Sequence, residues 1–132
     1  MIVILLSAVA CSKMAPRNRA VRPVPVEDGV KFTFYAPNAT VVQLGGSWPE
    51  NNWARGVGSV GEMLIGLMSD DNTDGKWDLV VPLTPGRYQY LFLVDENTWH
   101  LDPGNPEEVP GGPARTASEI VVFMRNGKLE VR

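Results

Sequence analysis

Residues Lys76–Pro103 read KWDLVVPLTPGRYQYLFLVDENTWHLDP, and the spacing of their bulky side chains sets the fold. Trp77, Leu79 and Val81 fall at every second position. Thr84-Pro85-Gly86 then supplies the residues a turn needs. Alternation resumes from Arg87 to Val94: Tyr88, Tyr90, Phe92 and Val94 share one face, and Arg87, Gln89, Leu91 and Leu93 the other. Asp95-Glu96-Asn97 reverses the chain and Trp99 follows at once. The pattern predicts two strands, a tight connection and a third short strand. They would form an antiparallel ribbon with a heavy apolar face and a tryptophan at its tip.

The same period of two recurs on either side. Val30, Phe32 and Phe34 alternate with Lys31, Thr33 and Tyr35, then Ala36-Pro37-Asn38 breaks the run. Thr40–Leu44 is the next strand, spaced to form a hairpin with the first. Residues 45–61 form a long irregular stretch holding Trp48, Asn51, Asn52 and Trp53. A loop of that length inside a compact domain is often functional. Glu62–Met68 reads as a short strand or a helical turn, and Asp102–Ala117 as a second long loop. Ser118–Met124 is a strand, Asn126-Gly127 is the strongest hairpin signal in the chain, and Leu129–Val131 returns. Short strands punctuated by turns, with no convincing helix, predict an all-β protein: an antiparallel β-sandwich.

A length of 132 residues suits one domain and falls short of the about 250 that a catalytic barrel takes. Hydrophobic content of 44% excludes disorder by composition. Lys13, Arg17, Arg19 and Arg22 are unopposed by any acid before Glu27; removing these four from the net charge of −3 leaves −7 on residues 27–132. So acidic a body does not suit nucleic acid. Residues 1–11, MIVILLSAVAC, carry an apolar run too short to span a bilayer, which takes about 20 residues. The run suits the core of a secretory signal, and Ala8-Val9-Ala10-Cys11 resembles a bacterial lipoprotein cleavage site with Cys11 as the lipidated residue. The other reading is a short apolar strand with an incidental cysteine. Cys11 is the sole cysteine, so no internal disulfide exists and acylation gives the thiol a role. Residues 12–29, rich in proline and arginine, read as a tether, and residues 30–132 as the folded domain.

Taken together, Gly86–Asp95 followed by Trp99–Pro103, with Leu44-Gly45-Gly46-Ser47, Asn51-Asn52-Trp53 and Glu119-Ile120-Val121-Val122, resemble the glycogen-binding module of the AMP-activated protein kinase beta subunit. They are equally similar to its relatives at the front of branching and debranching enzymes, carbohydrate-binding module family 48. The resemblance spans about residues 30–123, with a long insertion after Trp53. It implies an immunoglobulin-like, early-set sandwich and a noncatalytic site for α-glucan: glycogen, starch or maltooligosaccharide. It also implies that Trp53 and Trp99 form the platform. A flat exposed indole covers the apolar C–H face of a sugar while neighbouring groups bond its hydroxyls. Read without the resemblance, both tryptophans are more readily core residues. The family's central-strand lysine is replaced by Leu91. Of the family's Leu, Thr and Asn in the last loop only Thr116 is kept, with Ala114 and Ser118 at the other positions. Asn97, Glu96 and Arg115 are the substitutes at hand. Trp77 reads as core, and Trp48 as core, rim or a third platform.

Other chemistry is weakly signalled. Asp70-x-Asn72-x-Asp74-Gly75 fits the first half of a calcium loop, but Val81 stands where the loop's final Glu belongs. His100 is the only histidine, so a multi-histidine metal site is excluded. No metal or cofactor is expected, nor an enzyme. Two functions follow: a glucan-binding module of the cell envelope, held by a lipid on Cys11 (cytoplasmic if that segment is not processed), or a sandwich with a degenerate sugar site that binds a protein partner.

Overall fold

The computed structural model describes residues 20–55 and 64–132. Nine strands carry the chain among these residues, with no helix: β1 Val24–Val26, β2 Gly29–Tyr35, β3 Val42–Gly46, β4 Lys76–Val81, β5 Gly86–Val94, β6 Thr98–His100, β7 Glu108–Pro110, β8 Thr116–Arg125 and β9 Lys128–Val131. One sheet runs β1-β2-β4; the other runs β3-β5-β8-β7, with β6 against β5 and β9 against β8. Every pairing is antiparallel. The result is an immunoglobulin-like β-sandwich.

The core lies between the sheets and is built by the alternation seen in the sequence. Val30, Phe32 and Phe34 of β2 meet Val42 and Leu44 of β3, Tyr90 and Phe92 of β5, and Ile120 and Val122 of β8, all buried. Phe34 stacks on Phe92 with centroids 4.5 Å apart, and Phe32 meets Tyr90 edge-on at 5.0 Å. Trp77 packs against this core and its indole N–H donates to the Ala36 carbonyl. Trp48 is core too, stacked on Phe32 and edge-on to Tyr88.

Faces were legible; partners were not. β4 pairs with β2, not with β5, so Pro82–Pro85 crosses between sheets instead of closing a ribbon. The expected hairpin of β2 with β3 is likewise a crossover, because β3 pairs with β5. Asp95 explains this second crossing: its Oδ1 accepts from the backbone N–H of Thr40 and Val41, tying the entry of β3 to the β5–β6 turn. The hairpins at Asp95–Asn97 and Asn126-Gly127 do form, the latter with φ of 52° and 79°. Sheet structure starts earlier than expected: Val24–Val26 is an edge strand rather than tether, tolerating Pro25 because an edge has a free side. Residues 64–68 are neither strand nor helical turn; Leu67 bridges Gln43 and Ser69 bridges Asp78, closing one side of the sandwich over buried Met68. Cys11 and the signal-like segment lie outside the described residues.

A buried polar cluster joins β5, β8 and the loop after β6. The Tyr90 hydroxyl donates to Asp102 Oδ2 at 2.6 Å and accepts from Asn105 Nδ2 at 3.0 Å. Asp102 Oδ1 accepts from Gly104 N–H, the Asp102 N–H donates to Ser118 Oγ, and Asn105 Nδ2 also donates to the Glu119 carbonyl. Burial pushes the Asp102 carboxyl above the ordinary carboxylate range, against the pull of the Tyr90 and Gly104 hydrogen bonds. Burial, with the Asp102 charge beside it, raises Tyr90 as well.

Candidate functional site

The outward face of the six-stranded sheet carries Gln43 and Gly45 of β3, Arg87, Gln89, Leu91 and Leu93 of β5, Trp99 of β6, and Ala117 and Glu119 of β8, as register and alternation require. On a solvent-facing sheet surface Leu91 and Ala117 would be wet, yet they are 1% and 0% exposed. Both indoles approach this part of the face. Trp99 projects from β6 across β5 until its ring lies over Gly45; a Cβ built on Gly45 would sit 2.7 Å from Trp99 Cζ3. Trp53 starts beside Gly45 and Gly46 and its ring reaches Gly112 in the β7–β8 turn, where an added Cβ would meet it at 3.0 Å. Both tryptophans are partly buried. No hydrogen bond within the described chain occupies either indole N–H, whereas Trp77 spends its own on Ala36.

Trp53 is held by an unusual turn. Residues 48–55 leave β3 after Gly46, Trp48 points into the core, and Asn52, Trp53 and Ala54 all take positive φ. The Trp53 N–H donates to the Gly46 carbonyl. Trp99 follows from simpler geometry: the three-residue turn Asp95–Asn97 returns the chain, and the first outward position of β6 opposite Leu93 is residue 99.

The polar residues expected around the indoles are placed unevenly. Asn97 is exposed at the turn tip near Trp99, its Oδ1 accepting from the Thr98 hydroxyl. Thr116 has the parity of Ser118, whose side chain is fully buried and bonded to Asp102, so the outward position next to Leu91 is Ala117 instead. His100 takes the inward parity and tilts against Phe34 at 5.6 Å, away from the face that carries Trp99. Polar groups that sequence reasoning passed over do lie on that face: Glu119 accepts from Arg87 at 3.0 Å and from Gln89 at 2.6 Å. Period-two counting outward from Leu91 would have found them. The sheet at Leu91 and Ala117 is therefore apolar and closed to solvent, with one charged network on its β8 side.

The Asp70–Gly75 loop uses its oxygens on its own backbone. Asp70 accepts from the N–H of Asp74 and Gly75, and Asp74 from that of Lys76. The Lys76 N–H foremost, helped by Asp70, the Lys76 charge and Asn72, holds the Asp74 carboxyl below its ordinary value. This is turn chemistry.

The protein is an immunoglobulin-like sandwich whose outer sheet face carries two partly buried indoles. The chain belongs to carbohydrate-binding module family 48, the isoamylase N-terminal domain family, whose profile matches residues 20–105. Among solved structures it is similar to the maltogenic amylase from S. marinus, with a TM-score of 0.52 and 22% identity over 74% of this chain; that likeness is one of fold. The chain spans only 14% of that amylase. No curated protein matches it.

Proposed function

We propose that this module binds α-glucan without catalysing any reaction on it, stacking glucosyl units of glycogen, starch or a maltooligosaccharide on Trp53 and Trp99. The observation that carries this reading is the pair of partly buried indoles on one sheet face, with the Trp99 ring and the Trp53 backbone both beside Gly45. The indole faces suit the C–H faces of sugars, and Asn97 and the Arg87–Glu119–Gln89 group offer hydroxyl partners at the edges. Native electrophoresis through gels containing glycogen tests it. Wild-type protein should be retarded, and Trp53→Ala and Trp99→Ala should each weaken binding about 30-fold, the effect of removing about 2 kcal/mol of aromatic anchor. Unretarded wild-type protein overturns the reading and favours the second one, a sandwich with a degenerate sugar site that binds a protein partner, which Leu91 in the place of the family's lysine supports.

The module's place in the cell is part of the proposal. Its motif at Ala8–Cys11 supports export and a lipid on Cys11, with the basic residues before Glu27 lying against anionic headgroups. Expressed in full in a bacterial host, the protein should partition into detergent. Cys11→Ser should move it to the aqueous phase, and equal partitioning of the two would count against the anchor.

A further inference from the structure

We infer that Asn51 is the positioning residue of the candidate site: its buried carboxamide locks the left-handed turn that lays the Trp53 indole on the sheet. Three consecutive non-glycine residues, Asn52, Trp53 and Ala54, have φ of 45°, 59° and 62°. Left-handed geometry is disfavoured for each and occurs ordinarily as single residues, not runs. Such a run persists only where its surroundings over-determine it. Asn51 supplies that. It is 4% exposed, and its Oδ1 accepts from Gly46 N–H at 2.6 Å and from Ala54 N–H at 2.7 Å. Its Nδ2 donates to the Leu44 carbonyl at 2.7 Å. One side chain thus ties both ends of the turn to the last residues of β3, with the Trp53 N–H closing the same ring onto Gly46. Neither Asn51 nor any of these partners projects toward solvent as a sugar ligand would.

The consequence for binding rests on the glucan reading; the placement of the ring does not, and the test separates them. The protein is labelled with 5-fluorotryptophan, giving four fluorine lines for its four tryptophans, and the Trp53 line is assigned by its loss in Trp53→Phe. Asn51→Ala should move the Trp53 line toward its unfolded position while the Trp48 and Trp77 lines stay, and should weaken glycogen retardation at least tenfold. Asn51→Asp keeps both acceptor bonds and, only when protonated, can donate to the Leu44 carbonyl in place of Nδ2; at pH 4 it should hold the line and the affinity within threefold. Ile120→Val, which loosens the core away from the turn, should leave the line unmoved. A Trp53 line that stays in place in folded Asn51→Ala overturns the inference. So does Asn51→Asp losing the line outright at pH 4, which is also the deciding variant if Asn51→Ala does not fold. If the line moves as expected but wild-type protein ignores glycogen, the positioning role stands and the glucan reading falls.

Discussion

Replacing Tyr90 with Phe should lower the unfolding free energy by about 3 kcal/mol at pH 7 and by only about half that at pH 4, as read from urea titrations at the two values. The substitution keeps the ring and its edge-on contact with Phe32, so packing changes little. What it removes is the hydroxyl that donates to Asp102 Oδ2 and accepts from Asn105 Nδ2 inside the protein. A buried carboxylate that loses a donor costs more than a neutral group would. The pH dependence follows from Asp102. Burial raises its folded pKa above the unfolded value of about 3.9. Its contribution is then fully present below that unfolded value and is lost as pH rises through the folded one. The Tyr90 hydrogen bond lowers the folded pKa; deleting it pushes the carboxyl further up and deepens the loss on the alkaline side. A substitution effect equal at both pH values would mean Asp102 is not ionised against Tyr90 in the folded protein.

This cluster shows where sequence reading stops. Tyr90 was placed on the buried face by alternation alone, and a buried tyrosine needs a partner for its hydroxyl. That need was legible, but its partners were not, because Asp102 and Asn105 sit in a stretch with no period. The same limit produced the two misplaced hairpins. Alternation at Trp77–Val81 and Tyr88–Val94 reports which side chains face inward, and that held. Which strands are neighbours depends on whether four residues, Pro82–Pro85, turn within a sheet or cross to another, and both outcomes use the same turn residues. Asn126-Gly127 escaped the ambiguity because its two positive φ angles suit one kind of turn. At the site, Trp53 and Trp99 do share a face, as the family resemblance implied. Asn51 was visible only as part of a motif, since nothing local announces that a polar side chain will be buried by the backbone it bonds.

Gly45 and Gly46 give the sharpest separation of binding from stability, because adjacent positions on β3 face opposite sides of the sheet and each lies under a different indole. Gly45→Ala pushes a Cβ to 2.7 Å from the Trp99 ring. That ring is only partly buried, so unfolding free energy should fall by less than about 1 kcal/mol. The platform is nevertheless displaced, and glycogen retardation should weaken about tenfold, the equivalent of about 1.4 kcal/mol. Gly46→Ala pushes a Cβ to 2.1 Å from Trp48. Trp48 cannot yield: it is 6% exposed and boxed in by Phe32 and Tyr88. Overpacking of that kind should cost about 3 kcal/mol, the larger stability loss of the two. Urea unfolding and affinity gels on the two variants measure both quantities. If Gly45→Ala proves the more destabilising, Trp99 is a core residue and not a surface platform. If instead it leaves retardation intact while Trp99→Ala abolishes it, the ring binds sugar equally well from its displaced position, and close apposition to the sheet is no part of recognition.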